Sequence, residues 1–113
     1  MAEHNSSGSE AERVVAEYLV KSKYKIVDIN WKTKWCEIDI VAKKDKVIHF
    51  VEVKYRGSSS QGGGFDYIHS KKLQQMKRAA DSWVLIKKWN GEYALSAAEV
   101  AGADYSVEFI EEI

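Results

Sequence analysis

The sequence predicts a mixed α/β domain, a central mixed sheet with helices packed on it, in the order α-β-β-β-α-β-β. Three observations predict it. Two runs rich in Val, Ile and Phe, residues 36–42 and 47–56, are joined by Lys43, Lys44, Asp45 and Lys46, the signature of a β-hairpin with a four-residue connection. Two segments, residues 9–22 and 70–88, carry apolar residues at helical spacing. Two further apolar runs, residues 93–100 and 105–110, follow the second of these, so strands flank it in sequence.

Taken in order, residues 1–8 read as a disordered polar tail, and residues 9–113 as a single domain. Ser9 opens the first helix, with Glu12 three residues on at capping-box spacing. Ala11, Val14, Val15, Tyr18 and Leu19 form its apolar stripe. Residues 24–31 read as the first strand, with Tyr24, Ile26, Asp28 and Asn30 on one face and Val27, Ile29 and Trp31 on the other. The hairpin strands follow, and the first three strands are expected to form an antiparallel meander. Both hairpin strands are nearly continuous in apolar residues, so each is expected to be buried on both faces. Residues 57–64 hold three serines and four glycines, a composition suited to a mobile loop, either a flap over a substrate or a bare connector. The second helix buries Leu73, Met76, Ala80, Trp83 and Ile86 or Lys87, and Asn90-Gly91 is expected to end it through a left-handed glycine. Residues 93–100 and 105–110 read as strands, although Ser96-Ala97-Ala98-Glu99 also suits a helix.

The 113 residues suffice for one domain with a modest core. Net charge is zero, with 17 bases and 17 acids, so no global field marks a nucleic-acid partner. The distribution is uneven. Residues 21–56 hold ten bases against five acids, and residues 71–88 hold six against one. Such local basic surface is enough to attract phosphate, and it also serves merely to solvate a surface. The single cysteine, Cys36, excludes an internal disulfide and fits a reducing, cytoplasmic setting. No apolar run is long enough to span a bilayer, so no membrane partner is expected.

The hairpin carries charge inside its apolar strands. Asp39 lies between Ile38 and Ile40, Glu52 between Val51 and Val53, and Lys54 two residues further on. A buried carboxylate is costly unless it is paired or binds a metal. Glu52 and Lys54 share a strand face, so two acids and a lysine converge if Asp39 lies opposite. Two carboxylates on neighbouring strands suit a hard cation such as magnesium, which polarises a phosphodiester and acidifies bound water. Lys54 could then orient the water and offset growing charge. The same spacing also suits a structural Glu52–Lys54 or Asp39–Lys54 ion pair without metal. Glu12 reads most simply as part of the capping box, Glu37 as a neighbour nearer the strand end, and His49 as a core histidine facing away from Glu52. The four tryptophans read as packing residues, although Trp31 and Trp35, set beside Lys32 and Lys34, could stack on exposed bases.

Four segments then carry a resemblance. Glu12-x-x-Val15-x-x-Tyr18-Leu19, Tyr24-x-Ile26-x-x-x-Asn30-Trp31, Glu37-Ile38-Asp39-Ile40-Val41-Ala42 and Phe50-Val51-Glu52-Val53-Lys54-Tyr55-Arg56 resemble the bacterial YraN-like (UPF0102) family, with Lys71-Lys72-Leu73 and Ala79-Ala80 also fitting. The likeness covers about residues 8–83. It departs at Ala11, Lys23 and Cys36, where glycine is usual, and at Ser96, where aspartate is common. The resemblance implies the restriction-endonuclease-like fold, with an α-β-β-β-α-β core and the PD-(D/E)xK nuclease site, similar to archaeal Holliday-junction resolvases. It implies that Asp39 and Glu52 bind Mg2+ (Mn2+ as a substitute), that Glu12 completes the site, and that Lys54 is the catalytic lysine. The expected function is a metal-dependent DNA endonuclease acting on branched or junction DNA, as a homodimer. Arg56, Lys71, Lys72, Lys77 and Arg78 would contact phosphates. Its rivals are a DNA-binding protein of the same fold without turnover and an interaction protein with a structural ion network.

Overall fold

The computed structural model describes residues 6–56 and 68–113, and of residues 6–9 the backbone alone. Two helices and five strands follow the expected order: α1 (Ser6–Lys21), β1 (Lys25–Lys32), β2 (Glu37–Lys44), β3 (Val47–Arg56), α2 (Ser70–Lys87), β4 (Glu92–Ala101) and β5 (Ser106–Ile110). They form one sheet in the order β1-β2-β3-β4-β5. Its first three strands are an antiparallel meander, β4 runs parallel to β3, and β5 is antiparallel to β4. A parallel neighbour needs a crossover, and α2 supplies it. This is the mixed α-β-β-β-α-β arrangement of the restriction-endonuclease-like fold.

The helices cover opposite faces. Ala11, Val15 and Leu19 of α1 pack on Ile40, Ala42, Val51, Ala98 and Val100. Ala79, Ala80 and Trp83 of α2 pack on Ile38, Val41, Ile48 and Phe50. Phe50 anchors the second layer through T-shaped contacts with Trp83 and Tyr93, each 5.4 Å between ring centroids. β2 and β3 lie centrally between these layers, so their middle residues are buried on both faces.

Several local expectations are corrected. α1 begins at Ser6, so residues 6–8 are helical rather than part of a disordered tail, and Ser9 lies inside the helix rather than capping it. Residues 1–5 and the glycine-rich stretch at 57–64 lie outside the described residues. β1 carries an irregularity between Ile26 and Asp28. The extra residue turns Ile26 toward α1 and Asp28 toward α2, where Asp28 accepts a 2.9 Å hydrogen bond from Trp83 Nε1. The four-residue hairpin connection contracts to Asp45-Lys46, because Lys43 and Lys44 remain in β2. In α2 the predicted stripe holds at Met76, Ala80 and Trp83, but Ile86 is exposed. Lys88, not Gly91, takes the left-handed exit, at φ 58°, and its N–H bonds Val84 O. Residues 96–99 are strand, not helix, because they pair with β3.

The Asp45-Lys46 turn has φ of 53° and 69°, the positive values that a two-residue hairpin of matching twist requires. Lysine is strained there and glycine is not. Lys46→Gly is therefore expected to stabilise the domain by about 0.5–1 kcal/mol in urea unfolding, with an unchanged m-value.

Candidate active site

The hairpin register ends at Ile40 opposite Val51. Continuing it by one pair would set Asp39 opposite Glu52, and there the two strands part. Ile38 and Glu37 go on pairing only with β1, while Glu52 to Arg56 go on pairing with β4. The fork leaves the Val53 N–H without its ladder partner, and Asp39 Oδ2 accepts it at 2.8 Å. A carboxylate side chain thus replaces a backbone acceptor at the point where the sheet opens.

The fork faces α2 across a cavity of about 370 Å³. Glu37, Asp39 and Glu52 line one side, Lys72, Gln75, Met76 and Arg78 of α2 the other, and Trp35 and Cys36 the mouth. Lys72 Nζ lies 2.8 Å from Glu52 Oε2. That pair was not legible in the sequence, because nothing local relates residues 52 and 72.

Negative charge is crowded here. Burial, followed by the adjacent Glu52 carboxylate, pushes the Asp39 carboxyl up to about 7, with smaller repulsion from Glu12 and Glu37 and opposition from the Val53 N–H. Glu12 is also raised, first by burial and then by Glu37 and Glu52, although a side-chain hydrogen bond with Asn30 favours its charged form. Asn30 sits at φ 54°, a conformation that asparagine tolerates well. Glu12 therefore shares the electrostatic environment of the cavity, but it lines a separate depression between α1 and β1.

The remaining residues divide. Lys54 is exposed on the same face as Glu52, with Glu99 as its register neighbour on β4. Arg56 is ion-paired with Glu99, which is 6% exposed. Glu99 was not among the candidate residues expected from the sequence. Its signal was an acid within an apolar strand, the same signal that marked Asp39 and Glu52. Lys77 turns away to the Tyr93 hydroxyl, at 3.2 Å, and Asp81, at 3.8 Å. Lys71 is exposed at the start of α2. His49, as expected, lies in the opposite layer, buried with Nδ1 3.1 Å from Ser96 Oγ.

Among the described residues, no three His, Cys, Asp or Glu side chains are gathered closely enough to cage a metal by themselves. No helix among them is long and apolar enough to cross a membrane.

Comparison with known proteins identifies a family. The model of "Uncharacterised protein family UPF0102" matches residues 11–105, spanning all the acids and bases above. A UPF0102 protein of Flavobacterium johnsoniae is 40% identical over 84 residues, 74% of this chain and 68% of that protein. One of Geobacter metallireducens is 41% identical over 85 residues, 74% and 70% of the two chains. One of Alkaliphilus metalliredigens is 36% identical over 107 residues, 93% and 94% of the two chains. The chain belongs to the UPF0102 family.

Proposed function

We propose that the protein is a magnesium-dependent DNA endonuclease of the PD-(D/E)xK type, acting on branched or junction DNA. The observation that carries this reading is the fork. Two carboxylates stand where paired strands separate, in a polar cavity where burial and neighbouring acids resist the ionisation of Asp39. Such a site favours a cation, and the Lys72 ammonium against Glu52 already supplies part of that positive charge. The donor set suits a hard divalent cation, since magnesium takes one or two carboxylates and fills its octahedron with water and phosphate oxygens. Asp39 and Glu52 would hold it, with Glu12 adding charge from α1. Bound there, magnesium (or manganese) supplies Lewis acidity toward the phosphodiester and a more acidic water.

The chain's own residues do the rest. The Val53 N–H fixes the Asp39 carboxylate. Lys54, two residues along the same strand face as Glu52, would orient the attacking water and offset charge growing on the phosphate. Lys72 and Arg78, across the cavity, bind phosphate, with Lys71 nearby at the start of α2. Lys77 and Arg56 would add weaker contacts, since Lys77 is held by Tyr93 and Asp81 and Arg56 by Glu99, whereas Lys72 and Arg78 line the cavity itself. Phosphate contacts of this kind position DNA without reading its sequence, and they make affinity fall steeply with salt. Cutting both strands of a junction requires two sites, which favours a symmetric homodimer.

The test is cleavage of duplex, single-stranded, flap and four-way junction DNA with magnesium or manganese. The parent should cut at least one of them, and Glu52→Ala and Lys54→Ala should each lose about 10²-fold or more in rate. Glu52→Ala protein that cuts as well as the parent would sink the assignment. The Glu52–Lys72 pair favours a second reading, an ion network that binds DNA or a protein without turnover. Magnesium would then leave the melting temperature unchanged, whereas a cation-binding site raises it.

A further inference from the structure

The four tryptophans differ sharply in exposure. Trp83 is 3% exposed, Trp31 and Trp89 are partly covered, and Trp35 is 81% exposed. A single exposed aromatic is unremarkable on a protein surface. Trp35 differs in its location and its mounting. It lies at the mouth of the cavity that holds Asp39 and Glu52. Its backbone is held in a closed turn: Thr33 N donates to Cys36 O at 2.8 Å, and Thr33 Oγ1 accepts from both Trp35 N and Cys36 N at 3.1 Å. The indole is thus presented on a fixed support.

Its surroundings are basic. Lys34 Nζ lies 5.4 Å from the Trp35 ring centroid, Lys32 ends β1 just before the turn, and Lys72 and Arg78 stand across the cavity. A flat apolar ring among lysines, beside acids that would flank a scissile phosphate, combines the two contacts a single strand offers. Cations track its phosphates, and an aromatic face takes an unstacked base. A fully paired duplex offers no free base face to such a platform.

We propose that Trp35 is a specificity-determining residue that stacks on an unpaired DNA base next to the scissile phosphate, so that the site selects DNA with a single-stranded segment. This rests on the nuclease reading for the scissile phosphate, but the stacking contact can be tested without turnover.

The experiment measures fluorescence anisotropy of labelled DNA, at one fixed salt concentration, with calcium in place of magnesium. A blunt duplex is compared with the same duplex bearing a single-stranded thymidine tail, using the parent, Trp35→Ala and Trp35→Phe. Stacking is worth roughly 1–3 kcal/mol per base, so Trp35→Ala should reduce the preference for the tailed DNA by about 5- to 150-fold. Trp35→Phe should keep most of it. A parent that binds both DNAs alike, or a Trp35→Ala protein with the parent's preference, would overturn the proposal. The two readings fail separately. Tail preference through Trp35 without cleavage in magnesium refutes the nuclease and keeps the stacking contact. Magnesium-dependent cleavage that Glu52→Ala abolishes, with no tail preference, keeps the nuclease and refutes the stacking contact.

Discussion

Asp39→Asn should abolish magnesium-dependent cleavage and, in the absence of metal, raise the melting temperature. The two effects have one cause. Burial in the fork, and after it the carboxylates of Glu52, Glu12 and Glu37, pushes the Asp39 carboxyl up to about 7. Asparagine keeps an oxygen to accept the 2.8 Å bond from Val53 N, but it carries no charge for its neighbours to repel. The sign follows from linkage. Below about pH 4 the carboxyl is neutral in both the folded and unfolded chain, so the replacement gains nothing there. Between about 4 and 7 the unfolded chain ionises Asp39 while the folded one resists, and the folded protein loses stability as pH rises. Above about 7 the whole penalty is present. The stabilisation by Asp39→Asn in EDTA should therefore be largest near pH 8 and shrink steadily toward pH 4. Cation binding needs the ionised carboxylate, so magnesium affinity of the parent should climb as pH rises through about 7, and the variant should lose that dependence. Thermal melts across this range, with and without magnesium, check both arms. A variant less stable than the parent at pH 8 without metal would show that Asp39 is a structural ion-pair partner instead.

Arg56→Ala should unfold the protein more readily rather than merely weaken DNA binding. Arg56 reaches across from β3 to Glu99 on β4, and the Glu99 side chain is 7% exposed. Removing one partner of such a pair strands the other charge away from water, at a cost of about 3–5 kcal/mol. The Arg56 side chain is 21% exposed, which places the expectation near the lower end, about 3 kcal/mol. For a domain of this size that is a fall of about 10 °C or more in melting temperature. Replacing both residues, as Arg56→Met with Glu99→Leu, should recover most of the loss, because two apolar side chains leave no uncompensated charge. If Arg56 served only as a phosphate contact, Arg56→Ala would melt with the parent and lose DNA affinity alone.

These two residues show how far the sequence was legible. The meander and the mixed sheet followed from hydrophobic period and element order, because a hairpin and an amphipathic helix are local patterns, whereas the parallel pairing of β4 with β3 is a contact between distant segments that only the fold decides. Asp39 and Glu52 stood out because charge inside an apolar strand demands an explanation from any fold. Glu99 presented the same signal, but its segment also suited a helix, and only pairing with β3 decided between them. The helix start misled for a related reason. A serine three residues before a glutamate is a cap only if the helix begins there, and α1 begins at Ser6.

The sequence by itself determined the mixed α/β class, through residue type and short-range spacing, marked the acids of the candidate site, and carried the likeness to the family. Only the tertiary structure decided what surrounds them. The parting of β2 from β3 at Asp39, the reach of Lys72 to Glu52, the pairing of Arg56 with Glu99 and the placing of Trp35 at the cavity mouth all depend on register and helix docking. Those are fixed by how whole faces bury against one another, a property that no window along the chain contains.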